Sequence, residues 1–511
     1  VYVDETMSLS RRRKASIRVL IAVCWFGAMA WLVRYEAFPG WFAHSLAGYR
    51  GMLTGGAVIL DSWMKISFRD VPMGYSHTRV DSNERDPAGV YVVENRTVLQ
   101  LNLMGQPHTL TVASEAALDA LYHLQRFKFT MSSQLYTARI DGRRTGRTRF
   151  WVRMWTGGQT QQFLVEIPDD VIVYSPLIEM SLGRMKPGQD LRVRTFDPVM
   201  LTPADVVIRA LNWEMLPTAE GEVEALMLTM EMHRTQVRAW VDRDGRMLRQ
   251  ETPFGWVMEA CEPEDALGFL DVPDVAAPDL LRALSVPVEG KISDPRACRR
   301  MVVRLAGTAL ADEPFPVDRQ QVVHADDQYV ELDISAATVP AEALPVGVAP
   351  PRMRRWLEST AFVQAEHPDI VRRAKAIIGD AADGVEAARA IYEWVHRNVK
   401  KKAAVSLPSA VDVLKQLEGD CNEHTYLFVA LARAVGIPAQ IRVGLVYLDG
   451  AFYYHAWPAV FVGEWWEMDP TLGQESVDAT HIALLEGELA AQLQLAGMIG
   501  RARATIVAEE Y

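Results

Sequence analysis

The stretch from Ser409 to Gln474 leaves this chain the least freedom. At its centre stands Gly419-Asp420-Cys421-Asn422-Glu423-His424. The residues that follow, Thr425 to Val435, are apolar almost all round and are stopped by Gly436. A helix without a polar face has to be buried, so the segment predicts a core element with Cys421 at its tip. Gly419 can close the preceding helix in a left-handed turn, Asp420 can cap the next, and Glu423 completes a capping box. In the first turn of a helix, unpaired N–H groups and the positive end of the dipole favour a thiolate over a thiol. Cys421 is therefore placed to react.

Downstream come strand-like Gln440 to Leu448, an Asp449-Gly450 turn, strand-like Ala451 to Val462, a break near Gly463, and Trp465 to Thr471. His455 and Asp469 fall almost symmetrically about the break. In a hairpin their side chains lie within a residue or two of directly opposite each other. A thiol at a helix tip, a histidine to take its proton and a carboxylate to orient the imidazole form a nucleophilic Cys-His-Asp set.

Four ordered blocks, Gly-Asp-Cys-x-Glu at 419–423, Gly-Ile-Pro at 436–438, His-Ala-Trp at 455–457 and Asp-Pro-Thr at 469–471, resemble the signature of the transglutaminase-like superfamily. The likeness extends upstream through Ile391-Tyr392-Glu393-Trp394-Val395 and covers roughly 356–498. It implies a papain-like fold with Cys421 as nucleophile, His455 as general base and Asp469 as its orienter. Pro458 departs from the pattern. A proline removes a ladder donor, so a bulge or an edge is expected just past His455.

At 511 residues and 49% hydrophobic content the chain is long enough for two to four domains and too apolar for wholesale disorder. A net charge of -12 argues against a nucleic-acid partner. The N-terminus breaks the acidity: Arg11, Arg12, Arg13, Lys14 and Arg18 precede an apolar run from Val19 to Val33. Ala28-Met29-Ala30 fits a cleaved secretory signal, but the run continues past it without a polar break. An uncleaved inner-membrane anchor is the expectation, with the basic cluster in the cytoplasm and the body in the periplasm. Export leaves Cys261 and Cys298 either bridged or as separate structural thiols.

The expected organisation is α+β: a basic N-terminus and anchor over 1–45, an antiparallel β domain over 46–262, a Pro-rich and acidic linker with a short β segment over 263–350, a catalytic domain over 351–498 and a tail over 499–511. Period-two alternation and recurrent turn signals define the β domain, interrupted by a short helix near Ala116 to Gln125. Its bulky residues (Trp151, Trp155, Phe163, Trp240) fit either a curved sheet, similar to envelope proteins with an open half-barrel domain, or a sandwich in which the aromatics are core. The sandwich is the expectation. The catalytic domain opens with helices started by His367-Pro368-Asp369 and by Ser409-x-x-Asp412.

The neighbours of the set have plainer readings. His424, one turn from Cys421, points outward and reads as a rim residue. Cys421 and His424 alone are a weak zinc pattern, and no acidic run has calcium-loop spacing, so no metal or cofactor is expected. Trp457, Trp465 and Trp466 are expected to pack about the hairpin, and Asp478 and His481 to be structural or at the cleft rim. The chain thus reads as a thiol-dependent hydrolase or acyltransferase acting on peptide or carboxamide bonds of a protein or peptide substrate in the envelope. The alternatives are a non-catalytic scaffold or recognition module, and a lipid or peptide carrier whose concave sheet is the active part.

Overall fold

The computed structural model describes residues 60–511 apart from 83–89, 157–158, 173–180, 198–201, 220, 233–234, 254, 269–277, 308–316, 405–406, 408 and 496–497. The basic cluster and apolar run of the expected anchor lie outside the described residues. Among the described residues no helix is long and apolar enough to cross a membrane.

The β domain is one continuous fifteen-stranded sheet, not a sandwich. Strands run outward from Leu60–Phe68 to Gln159–Glu166 at one edge. The chain then crosses to the other edge at Val171–Ile172 and returns strand by strand to Trp256–Ala260, which pairs with Leu60–Phe68. The sheet curls, so that Phe196 from near one edge meets Phe127 from near the other with ring centroids 4.7 Å apart. Curling and the helical domain packed on the inner face together bury what the sandwich expectation assigned to a second sheet. Along Arg149–Thr156 the inward Phe150, Val152 and Met154 are buried, while Trp151 and Trp155 stand 41% and 40% exposed on the outer face.

The expected helix near 116–125 is a turn between the antiparallel strands Gln106–Leu118 and Leu124–Ser132. Asp119 makes that turn, its carboxylate accepting from the N–H groups of Leu121 at 2.8 Å and His123 at 3.0 Å. Such local bonds compete directly with the helical ladder.

Helices α1 (Pro368–Ile378), α2 (Gly384–Asn398), α3 (Ala410–Gln416) and α4 (Cys421–Ala434) precede strands β1 (Ala439–Leu448), β2 (Ala451–Phe461), β3 (Trp465–Glu467) and β4 (His481–Glu486). From Glu423 to Ala432 every residue of α4 is buried, between the other three helices on one side and β1 and β2 on the other. The strands belong to a nine-stranded sheet that also recruits Val286–Glu289, Arg300–Ala306, Gln320–Ala325 and Tyr329–Ser335 from the expected linker. Residues 499–511, expected as a tail, supply a further strand, Arg503–Glu510, between Arg300–Ala306 and Val286–Glu289. Pro458 pairs with Ile441 without a register shift, so the expected bulge is absent from that pairing. The other side of β2 is paired only at 451–452 and 459–461, which leaves Pro458 where no donor is required.

Cys261 and Cys298 are separate thiols. The first packs beside Trp63, Tyr75 and Ala266 against the large sheet, the second inside the core shared with the helices.

The inner face of the large sheet joins that core through Ile140, Phe150, Val152 and Met154. Polar contacts reinforce the seam: Gln161 donates to the Ala361 carbonyl at 2.9 Å, and the Tyr136 hydroxyl donates to the Glu418 carbonyl. At the same seam Asp412 is buried, and burial pushes its carboxyl up to about 6, opposed by its hydrogen bond with Ser409. The folded chain therefore binds this proton more tightly than the unfolded chain, and stability falls as pH rises from about 4 through about 6. Asp412→Asn should remove that dependence and stabilise the protein by up to about 3 kcal/mol at pH 7.5, with little gain at pH 4, as read from urea unfolding at the two pH values.

Candidate active site

The capping box at the α4 N-terminus is complete. The Asp420 carboxylate accepts from the Asn422 N–H at 3.0 Å, and the Glu423 carboxylate accepts from the Asp420 N–H at 2.9 Å. The glycine before it has a different task from the one the sequence suggests. Leu417, at φ 53° and ψ 36°, takes the left-handed position that ends α3. Gly419, at φ 159°, makes room for the returning Glu423 side chain, since a Cβ there would stand 2.2 Å from the Glu423 Cβ.

Cys421 is partly exposed as a residue, while its thiol feels burial above all and the Ala456 N–H of β2 in the opposite sense. The Thr425 hydroxyl donates to the Ala456 carbonyl at 3.0 Å, so α4 is bound to β2 at that residue. His455 is the adjacent residue. Its Nε2 lies 2.8 Å from Asp469 Oδ2, leaving Nδ1 as the free ring nitrogen. Opposite His455 on β1 stands Gly444, where a Cβ would come within 1.9 Å of the Ile482 carbonyl oxygen. Only glycine lets β4 approach that closely.

Asp469 has no exposed surface. Its Oδ1 accepts from the N–H groups of Thr471 at 2.8 Å and Leu472 at 3.0 Å, and its Oδ2 contacts both His455 and His481, the latter at 3.2 Å. Burial alone would raise this carboxyl, but the two imidazoles outweigh it and hold Asp469 well below the usual carboxylate range. Burial lowers His455, with Asp469 opposing. The thiol moves against the expectation from its helix-tip position. Burial first, then the Asp420 carboxyl, push Cys421 well above the usual thiol range, and the Ala456 N–H only partly offsets them. The capping groups that build the helix tip bring negative charge to the place where the dipole brings positive charge. Both directions favour a neutral thiol and a neutral imidazole at rest.

His424 and His481 are not at a rim, as both are buried. The His424 nitrogens face the carbonyls of Asp420 at 2.6 Å and Val399 at 3.1 Å, so the ring pins α4 to the end of α2 and is spent there. The ligand atoms of His455, Asp469 and His481 lie within 4.8 Å of one another, the arrangement among the described residues nearest to a metal cluster. Those atoms are engaged with each other by hydrogen bonds, and an ion would have to break both contacts to Asp469 Oδ2.

Trp457 and Trp466 are fully buried, as expected for packing about the hairpin, and the Trp457 ring stacks at 5.9 Å from His455. Beneath them lies an ionic group that the sequence reading missed. Glu467 meets Arg319 at 2.8 Å and Arg442 at 3.5 Å and accepts from Trp457 Nε1 at 2.8 Å. Its position two residues before Asp469 on a period-two strand was the available signal. With side-chain exposures of 10% for Arg319, 4% for Glu467 and 1% for Arg442, the group cannot fall back on water.

Residues 371–470 match the family model of the transglutaminase-like superfamily, so the chain carries a transglutaminase-like domain there. No curated protein sequence matches the chain. Among solved structures, it is similar to a candidate cysteine protease from Cytophaga hutchinsonii at 15% identity, over 42% of this chain and 86% of that one, with a TM-score of 0.30. A β-barrel-like domain of unknown function from Brucella abortus is similar at 9% identity, over 41% of this chain and 98% of that one, with a TM-score of 0.31. A candidate protease from Parabacteroides distasonis is similar at 10% identity, over 74% of this chain and 70% of that one, with a TM-score of 0.19.

Removing the central carboxylate of the ionic group should leave the largely buried Arg319 without a carboxylate partner and Arg442 with Glu486 alone, at 3.3 Å. Glu467→Gln is expected to cost about 3–5 kcal/mol in denaturant unfolding. A cost below about 1 kcal/mol would show that Arg319 and Arg442 find other partners.

Proposed function

We propose that the protein is a thiol-dependent hydrolase that cleaves peptide or carboxamide bonds through a thioester on Cys421, with His455 as general base and Asp469 as its orienter. The observation that carries this reading is the placing of Cys421 at the tip of α4, which the Thr425 hydroxyl binds to the Ala456 carbonyl at 3.0 Å, while the neighbouring His455 has Nε2 on Asp469 and Nδ1 free.

In the proposed reaction the Sγ–H proton moves to His455 Nδ1 as sulfur forms its bond to the substrate carbonyl carbon. Starting from a neutral pair, transfer and attack are coupled, since a free thiolate in this buried site is costly. The Cys421 N–H, in the first turn of α4, is a natural donor to the oxyanion. Collapse breaks the C–N bond, the amine leaves with the proton returned by His455, and a thioester remains. Water then takes the place of the amine, His455 again holding the proton, and the acid and free thiol are released. An amine in place of water gives acyl transfer by the same steps. Among the described residues no side chain of the site reads as an amine pocket, and hydrolysis is the outcome we favour.

The basic cluster at 11–18 and the apolar run after it support placing this activity outside the cytoplasm on an inner-membrane anchor. The large sheet, packed along the segment that leads to Cys421, supports a part in recognising a protein or peptide substrate.

The test uses p-nitrophenyl acetate as an activated acyl donor. A burst of p-nitrophenol approaching one equivalent should accompany acetylation of Cys421 seen by peptide mass spectrometry. The burst rate should fall by about 100-fold or more in His455→Ala and vanish in Cys421→Ser. Adding glycinamide would separate the acceptors: acetic acid as main product marks a hydrolase, acetylglycinamide an acyltransferase. The absence of any His455-dependent burst would sink the enzyme and leave the scaffold reading.

A further inference from the structure

The second imidazole on Asp469 has no part in the steps above, and its ring has no exposed surface. His481 Nε2 lies 3.2 Å from Asp469 Oδ2, and its Nδ1 lies 3.2 Å from Asp478 Oδ1. Ionised carboxylates only accept hydrogen bonds, and a neutral imidazole has a single N–H. A neutral ring here would set a bare nitrogen lone pair against a carboxylate. With both nitrogens facing carboxylates, both carry hydrogen.

The formal charges agree. Asp478 meets Arg296 Nη1 at 2.8 Å, and also accepts from Gln474 at 2.6 Å and from Thr480 N–H at 2.8 Å and Oγ1 at 2.6 Å. With Arg296 and His481 positive and Asp469 and Asp478 negative, the cluster is neutral when His455 is neutral. The other groups packed on it are the Trp457 ring, 5.2 Å from His481, and the Arg319 guanidinium, which donates to the His481 carbonyl at 2.7 Å and is itself balanced by Glu467. Lys401 is a further cation acting on His455.

We propose that His481 is a positioning residue for the Cys421 chemistry: a permanently charged imidazolium, clamped between Asp469 and Asp478, that takes up part of the Asp469 charge and keeps His455 in its neutral, proton-accepting form. The inference rests on the thiol chemistry proposed above and concerns how that site is tuned. Were Asp469 to face His455 alone, its full charge would favour a protonated His455 and a resting thiolate–imidazolium pair. Shared with His481, it still orients the ring but leaves Nδ1 empty until substrate arrives. The proton that leaves Cys421 stops at His455 Nδ1, and none passes to His481. The shifts run the same way. Burial would lower His481, but Asp478 and Asp469 outweigh it and hold the ring up, while its charge helps to lower His455.

The test follows Cys421 alkylation by iodoacetamide against pH in the full chain. The wild type and His455→Ala are compared first, and a rate independent of His455 would overturn the proposed chemistry itself, whatever His481 does. Given that dependence, His481→Gln and Asp478→Asn should both make His455 more basic, the second with the ring retained. Each should raise the alkylation rate at pH 6–7.5 by several-fold to about tenfold, since one pKa unit is a factor of ten. The gain should disappear when either is combined with His455→Ala, which a mere loosening of the site would not do. An unchanged or lower rate in both variants, or a gain that survives His455→Ala, would overturn the inference. Should both variants fail to fold, ¹⁵N-histidine NMR of the wild type decides instead. One buried ring is expected to keep both nitrogens protonated up to pH 8, and the absence of such a ring would overturn the proposal.

Discussion

A carboxylate cut off from water must find its compensation in donors, and Asp469 finds four of them. Two are backbone N–H groups from the turn that Asp469 itself begins, where it also exchanges both ladder bonds with Gln474 at 2.8 Å. That turn is held from outside by His396, whose Nδ1 lies 2.8 Å from the Pro470 carbonyl. The other two donors are imidazoles from β2 and β4, the two strands that flank β1, so the carboxylate ties them together across it. Loss of any one donor would leave one carboxylate oxygen with a single partner where burial makes weaker compensation expensive. The orientation of His455 is therefore a property of the whole hairpin and its surroundings rather than of a single contact.

The same accounting explains why the helix tip leaves the thiol protonated. A macrodipole contributes roughly half a charge at the N-terminus, spread over the first turn. Against it stand burial of the sulfur and the carboxyl groups of Asp420 and Glu423, both required to satisfy the free N–H groups of that turn. Burial and Glu423 push Asp420 itself well above the carboxylate range, so the capping pair resists carrying two charges. A neutral thiol beside a neutral imidazole is the arrangement that costs least in such surroundings.

Local chemistry was legible where it depended on nearby residues. The capping box, the buried helix from 425 onward, and the meeting of His455 with Asp469 all follow from spacing within one or two elements. The role of Gly419 was misread because helix termination and close approach of a side chain ask for the same residue, and only the position of Leu417 distinguishes them. Residues 116–118 looked helical because Ala116, Ala117 and Leu118 carry no alternation. Their strand is imposed by pairing with 124–127 through the Asp119 turn. The choice of sandwich over a curled single sheet could not be made from alternation, since both bury one face of every strand. Burial of His424, His481 and Glu467 escaped for a related reason: each is satisfied by partners distant in sequence, Val399, Asp469 and Arg319, and a lone polar residue carries no mark of a future partner.

The large sheet and the site share a mechanical link. Glu418 and Gly419 pair in parallel with Lys400 and Lys401, and the Glu418 carbonyl accepts from the Tyr136 hydroxyl of the sheet. Burial and the surrounding carboxyl groups of Glu423, Asp412, Asp420 and Glu418 keep that hydroxyl protonated far beyond its usual range, so it remains a donor at any pH the fold survives. The carbonyl it holds belongs to the residue before Gly419, against which the returning Glu423 side chain packs. The sheet is thus joined to the helices at 418, next to the cap of α4, as well as at Ala361 and Ser409. Of the groups proposed to react, Cys421 is coupled to the sheet, whereas His455 and Asp469 are anchored in the opposite wall.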